Sequence, residues 1–167
     1  MEQYIPISKI NDFLFCPLSL YLHTAYEDFD KRDYQEVAQI AGSLAHKNIE
    51  NGAYSSAKRF LQGLDIYDQK EKALIERKNK IKNIYLGYKY QLYGEYFCMM
   101  EMGYEVKRLF LHSLSDNKRY EIFLPNIEEI SAFEQTVKQI ENFGPEDVAN
   151  HSCPRCQNNI YSPLAWQ

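Results

Sequence analysis

The sequence has no long apolar run: nothing in it approaches the ~20 consecutive apolar residues that a membrane-spanning helix requires. No basic-then-apolar signal segment opens it either. We therefore expect a cytoplasmic protein without a membrane partner, in a compartment where thiols stay reduced. Cysteines are few, and each is expected to be a free thiol or a metal ligand before it is half of a disulfide. The four are Cys16, Cys98, Cys153 and Cys156.

Strong charge and repetition are also missing. The 167 residues carry a net charge of −4, so a surface for nucleic acid has to be a local patch and not a global field. The chain has no internal repeat and no low-complexity segment, and its length suits one domain with a single core. We predict one domain over residues 1–167, in which residues 145–167 form a tail that packs near the N-terminal helix.

Hydrophobic periodicity predicts helices on both sides of a small central sheet, an α/β or α+β arrangement of which we favour α/β. The predicted helices cover residues 8–26 with an interruption at Pro17, a segment around residues 37–44, residues 87–103 and residues 126–143. The predicted strands cover residues 64–68, 73–78, 106–114 and 118–125. In the last helix the predicted apolar stripe is Ile127, Ile130, Phe133, Val137 and Ile140.

The first two predicted strands carry the residues with chemical potential. Asp65 lies on one strand, and Glu76 and Lys78 lie two residues apart on the next, so the latter two point the same way. Carboxylates on adjacent strands can share a divalent cation, and a lysine beside them can steady negative charge as a phosphodiester is cleaved. Such spacing is more commonly explained by solvated surface charge. Taken by themselves, Asp65, Glu76 and Lys78 favour that explanation over a metal site.

A local basic patch adjoins these strands. Residues 70–89 hold seven basic side chains and two acidic ones, which leaves five net positive charges in a chain that is negative overall. A patch of this kind suits contacts with DNA phosphates, although a solvated lysine-rich hairpin would show the same composition. The basic residues are Lys70, Lys72, Arg77, Lys78, Lys80, Lys82 and Lys89.

The order of the motifs closely resembles the CRISPR-associated RecB-like exonucleases of spacer acquisition, the Cas-four family. The resemblance covers essentially the whole chain and is most specific over residues 64–97. It implies a PD-(D/E)XK nuclease fold with a RecB-like core and a cysteine-bearing C-terminal tail. The motifs are CP at 16–17, GSLAH at 42–46, the Asp65 strand, ERK at 76–78, GYKYQLYGEYF at 87–97, CPRC at 153–156 and IYSPLAW at 160–166.

The resemblance assigns roles to individual residues. It implies that His46, Asp65 and Glu76 bind Mg²⁺ or Mn²⁺, and that Lys78 and Gln91 complete the catalytic set. The tyrosine that the family has four positions after the glutamine is absent, because position 95 is a glutamate. Tyr96 is the nearest substitute. We expect the DNA-binding residues to be Lys80, Lys82, Lys89 and Tyr96.

The function implied by the resemblance is adaptation in CRISPR immunity. The protein would process the single-stranded ends of prespacers as an exonuclease or endonuclease, in complex with the CRISPR integrase. The alternative is a catalytically weak or inactive adaptor that binds DNA or the integrase without cutting.

The resemblance implies a [4Fe–4S] cluster with four cysteine ligands, but fewer than four of the matching positions in this sequence are cysteines. Cys16 matches the first. Aligning the tail on IYSPLAW leaves Cys156 with Asn159 and Ala165, whereas aligning it on CPRC leaves Cys153 and Cys156 with Ser162. We therefore expect a degenerate site closed by Ile160, Leu164 and Trp166, with Cys98 buried as a small apolar residue. A Cys₃His zinc site of Cys16, His151, Cys153 and Cys156 is the alternative.

Overall fold

The computed structural model describes Ile5, residues 7–25 and residues 66–156. His46, Asp65, the predicted helix around residues 37–44 and the tail from residue 157 onwards lie outside the described residues. The described helices are α1 (Ile7–Phe15), α2 (Pro17–Ala25), α3 (Leu86–Glu101), α4 (Ile127–Asn142) and α5 (Pro145–Asn150). The described strands are β1 (Ile66–Asp68), β2 (Ala73–Lys78), β3 (Arg108–Ser113) and β4 (Lys118–Ile122).

The four described strands form one mixed sheet in the order β1-β2-β3-β4. Strand β1 is antiparallel to β2, β2 is parallel to β3, and β3 is antiparallel to β4. Helix α3 lies between β2 and β3 in the chain, as the connection between two neighbouring parallel strands requires. The prediction of an α/β domain with a small sheet flanked by helices is confirmed.

Strand β2 is buried on both faces, in keeping with the apolar run ALI at its start. Leu74 belongs to the main core, which the sheet shares with α1, α3 and α4. Ala73 and Ile75 point to the opposite face and pack with Phe110. Because side chains alternate along a strand, Glu76 and Lys78 share the face of Leu74. That face is the one covered by the helices.

Helix α3 can lie close to α1 because glycine occurs where the two helices meet. A Cβ atom on Gly87 would lie 2.3 Å from Asn11 Oδ1, a distance that real Cβ contacts do not show. Pro17 starts α2, where its missing N–H costs nothing, and Cys16 stands at the break before it. The predicted interruption at Pro17 is confirmed. It puts Cys16 at a corner between two helices.

The predicted apolar stripe of α4 is wrong at its first position. Ile127 is 87% exposed, and the buried residues of this helix are Phe133, Thr136 and Ile140. The start of α4 is fixed by a capping box between Asn126 and Glu129, so the first turn forms without packing on the core. None of the helices in the described ranges has both the length and the apolar character needed to cross a bilayer.

Two candidate functional sites

Three of the predicted site residues meet on the helix-covered face of β2. Lys78 Nζ lies 2.8 Å from Glu76 Oε1, and Gln91 Nε2 donates a hydrogen bond of 2.7 Å to the same oxygen. Lys78 Nζ in turn donates a hydrogen bond of 2.7 Å to Gln91 Oε1. The carboxylate, ammonium and amide groups therefore form a closed triangle, which we call the Glu–Lys–Gln group.

The Glu–Lys–Gln group is withdrawn from solvent. The side chain of Glu76 is 4% exposed and that of Lys78 is 18% exposed. A buried charge is costly unless it is paired and hydrogen-bonded, and here the Gln91 amide contributes one hydrogen bond to each charged partner. The amide also fixes the positions of both side chains, since its carbonyl oxygen accepts and its nitrogen donates.

An aromatic-lined cavity of about 410 Å³ lies beside this group. Tyr88 connects the two, because it lines the cavity and its ring centroid is 5.0 Å from Lys78 Nζ. The Arg155 guanidinium lies 5.2 Å from the centroid of the Phe15 ring, and both residues line the same cavity. The remaining lining residues are Asn11, Leu14, Tyr85, Leu86 and Gly87.

The structure divides the predicted DNA-binding residues into two kinds. Lys80 and Lys82 are exposed in the loop that follows Lys78. Lys89 is 2.7 Å from Glu129 Oε1, and this hydrogen bond raises the pKa of Lys89 despite partial burial. Tyr96 is partly buried against the main core, with its ring centroid 5.3 Å from that of Phe97.

Two charged residues that the sequence assigns no individual role are among the most buried in the described part of the chain. Arg77, counted above in the basic patch, is 2% exposed, so the patch must be smaller than its composition indicates. Glu95 is fully buried on α3. It lies one turn after Gln91, and this i, i+4 spacing is the signal that could have related Glu95 to the site.

The second candidate site, the Cys/His group, joins two distant parts of the chain. Cys16 comes from the corner between α1 and α2, and the other three residues come from the segment after α5. One ligand atom from each of the four residues lies within 4.8 Å of all the others. The members are Cys16, His151, Cys153 and Cys156.

Local backbone structure builds the C-terminal half of the Cys/His group. The Cys156 N–H donates to the Cys153 carbonyl oxygen at 3.1 Å, which closes a turn over the CPRC sequence. The Cys153 N–H donates to Cys156 Sγ at 3.2 Å. Cys16 and Cys156 are buried in a small apolar cluster with Leu18 and Leu22. The turn thus directs both of its sulfurs towards the helix corner.

Two thiols of the Cys/His group, those of Cys16 and Cys153, have different pKa values when no metal is bound. Burial raises the pKa of Cys16 to about 12. Burial also acts upwards on the pKa of Cys153, but hydrogen bonds from the Arg155 backbone and from His151 outweigh it and lower that pKa to about 7. Of these two thiols, Cys153 therefore ionises more readily near neutral pH.

The group matches the predicted Cys₃His alternative residue for residue. Cys98 lies on α3 and is not a member of the group; it is half-buried and not fully buried as predicted, and this partial burial raises its pKa. The residues predicted to close a degenerate site, Ile160, Leu164 and Trp166, lie outside the described residues. Cys16, His151, Cys153 and Cys156 could together bind a metal ion.

Similarity to known proteins was sought among family models, curated proteins and solved structures, and no match was found in any of the three.

Proposed function

We propose that the protein is a divalent-metal-dependent DNA nuclease with a RecB-like PD-(D/E)XK core. It processes single-stranded prespacer ends for CRISPR adaptation, in the cytoplasm and together with the CRISPR integrase. One observation carries the proposal: Glu76, Lys78 and Gln91, which the family resemblance selects from two separate motifs, contact one another in a closed triangle. A surface-charge explanation of the Glu-x-Lys motif is hard to reconcile with a glutamate side chain that is 4% exposed.

Of the proposed ligands, the one in the described residues suits Mg²⁺ or Mn²⁺. The Glu76 carboxylate is a hard oxygen donor of the kind that both ions prefer. We propose Asp65 and His46, which lie outside the described residues, as further ligands. Asp65 directly precedes Ile66, and Ile66 pairs with Ile75, the residue before Glu76. When bound, the ion supplies Lewis-acid polarisation of the phosphate and a more acidic water.

Lys78 and Gln91 supply the other two functions of the site, charge stabilisation and positioning. The Lys78 ammonium group stabilises the negative charge that develops on the phosphate oxygens, because it is fixed in a largely dry environment where its field is weakly screened. Gln91 holds Lys78 and Glu76 in position through its two hydrogen bonds. Gln91 is therefore a positioning residue, since its described contacts are with the two charged side chains.

The surroundings of the Glu–Lys–Gln group suit the binding of single-stranded DNA. Lys80 and Lys82 offer exposed positive charge on the loop directly after Lys78. The cavity lined by Phe15, Tyr85 and Tyr88 offers aromatic faces on which unpaired bases can stack. Zinc at the Cys/His group completes the proposed set of metals, at a place separate from the Glu–Lys–Gln group.

The test is cleavage of a labelled single-stranded oligonucleotide, and of a duplex with single-stranded overhangs, with Mn²⁺, with Mg²⁺ and with EDTA. We expect cleavage that requires the divalent ion and that falls by at least about a hundredfold in Glu76→Gln. Glu134→Gln, on the exposed surface of α4, is the matched control and should cleave like the wild-type protein.

Glu76→Gln leaves Lys78 without its carboxylate partner, so its thermal unfolding has to be recorded alongside its activity. The double variant Glu76→Gln/Lys78→Met removes both charges and serves as the folded, inactive reference. Cleavage by either Glu76 variant at the wild-type rate would overturn the site assignment. A wild-type protein that binds the oligonucleotide and the integrase but does not cut would establish the adaptor alternative.

A further inference from the structure

We propose that Cys16, His151, Cys153 and Cys156 hold a single zinc ion in a closed tetrahedral site, in place of the four-iron cluster that the family resemblance implies. This centre fastens the C-terminal segment to the corner between α1 and α2. The proposal is independent of nuclease activity, since it rests on a different group of residues.

Four of the six separations between the ligand atoms match those around one tetrahedral metal ion, and all six are within 4.8 Å. Cys16 Sγ is 3.7 Å from Cys153 Sγ and 3.8 Å from Cys156 Sγ, and the last two are 3.6 Å apart. Cys16 Sγ is 3.6 Å from His151 Nε2. With zinc–sulfur bonds of about 2.3 Å and a zinc–nitrogen bond of about 2.0 Å, a regular tetrahedron separates its sulfurs by about 3.8 Å and sulfur from nitrogen by about 3.5 Å. The three sulfur–sulfur separations and the Cys16–His151 separation agree with these values to within about 0.2 Å.

A [4Fe–4S] cluster does not fit the same residues. Each of its thiolate ligands binds a different iron, so the four sulfurs stand farther apart than ligands that share one metal ion. It also calls for four cysteines, and the chain has only four in all. One of them, Cys98, lies on α3 and outside the group. The remaining set is three sulfurs and one imidazole nitrogen, a combination that structural zinc sites commonly use.

The surroundings of the group favour a structural site over a catalytic one. Four protein ligands fill a tetrahedron and leave no position open for water or substrate. Cys16 is fully buried, and the wall beside it is formed by Leu18, Leu22 and Val148. The Cys153 N–H donates to Cys156 Sγ, and a hydrogen bond of this kind steadies a thiolate ligand.

The centre would tie together residues that are 135 to 140 positions apart in the chain. Arg155 lies inside the CPRC turn and donates a hydrogen bond of 3.3 Å to the Phe15 carbonyl oxygen, next to Cys16. A metal at this place therefore also fixes Arg155 at the edge of the aromatic-lined cavity. Because the site is assembled only in the folded chain, the free energy of metal binding becomes free energy of folding.

The experiment is elemental analysis of the anaerobically purified full-length protein, followed by replacement of the metal with Co²⁺. We expect one zinc per chain, no stoichiometric iron or acid-labile sulfide, and for the cobalt form the intense visible bands of a tetrahedral thiolate site. Cys156→Ser and His151→Ala should each lose zinc and unfold at a temperature lower by roughly 10 °C. Cys98→Ser is the control with the same atomic change and should keep both its zinc and its unfolding temperature.

Two results would overturn the proposal. One is close to four irons and four sulfides per chain, which would require a ligand set other than the one described. The other is a metal-free protein that unfolds at the same temperature before and after zinc is added, including a protein whose Cys153 and Cys156 have formed a disulfide. Failure of the nuclease proposal would look different, because it would remove DNA cleavage and leave the zinc content unchanged.

Discussion

The Glu–Lys–Gln group and the Cys/His group differ in how the chain brings their members together. Glu76, Lys78 and Gln91 come from β2 and the helix that follows it, with sequence separations of 13 and 15 residues between contacting side chains. Cys16 meets its partners from the other end of the chain. The first group is assembled by one local β–α unit, whereas the second depends on the whole described chain being folded.

The two groups also differ in what stabilises them. The Glu–Lys–Gln group lies against the main core and balances its own charges by an ion pair and two hydrogen bonds. The Cys/His group belongs to a small separate apolar cluster around Leu18 and Leu22. A small cluster contributes little burial, and three closely spaced sulfurs gain most from a shared cation. We therefore expect a metal to matter for folding at the second group and for chemistry at the first.

The largest effect that sharpens this comparison is expected from Lys78→Ala. It should slow cleavage by about a hundredfold, since it removes a preorganised charge from a dry environment. The dependence of the remaining activity on Mn²⁺ concentration should be close to that of the wild-type protein, because lysine supplies charge and is not a ligand. The measurement is kcat over a Mn²⁺ titration, with Lys138→Ala on the exposed surface of α4 as the control. A large shift of the Mn²⁺ midpoint in Lys78→Ala would contradict this division of roles.

A strong chelator should separate the two regions by their stability. After zinc is removed, amide hydrogen exchange should accelerate by at least about tenfold in α2 and residues 145–156, because the link between them is lost. Exchange in β2 and β3, at the centre of the described sheet, should change much less. Exchange followed by mass spectrometry measures this, and restoring zinc should reverse it. Uniform acceleration across the sheet would show that the two regions unfold as one unit.

The local features of both groups can be predicted from the sequence, whereas their long-range contacts cannot. The sequence predicts the main elements of the described sheet and the meeting of Glu76 with Lys78, because strand periodicity and a two-residue spacing are local properties. The sequence also predicts the break at Pro17, because the effect of a proline on a helix is local too. It favours a degenerate cysteine site over the Cys₃His alternative, because it does not show that His151 reaches Cys16 across 135 positions.

Other details escape the sequence because they depend on tertiary packing. The burial of Arg77 inside an apparently basic stretch follows from β2 being covered on both faces. The exposure of Ile127 follows from a helix whose first turn is held by its cap and not by the core. A pattern of residue types gives the face on which a side chain lies, but it does not give the extent of the surface that covers that face.

A smaller effect is expected at the exposed loop after Lys78. Replacing Lys80 and Lys82 by glutamine should reduce the slope of log binding constant against log salt by up to about 1.4 on single-stranded DNA, since each phosphate contact contributes about 0.7. The measurement is fluorescence anisotropy of a labelled oligonucleotide between low and moderate salt. Lys118→Gln and Lys138→Gln, which are also exposed lysines, form the control pair. An equal slope for both double variants would mean that the loop faces away from the DNA.

The most direct test of the central claim, that the two groups bind different metals for different purposes, is X-ray absorption at the zinc edge of the purified protein before and after Mn²⁺ is added. We expect three sulfur neighbours at about 2.3 Å and one nitrogen neighbour at about 2.0 Å, unchanged by Mn²⁺. A zinc ion that is surrounded by oxygen and displaced by Mn²⁺ would instead lie at Glu76, and the two groups would then not bind different metals.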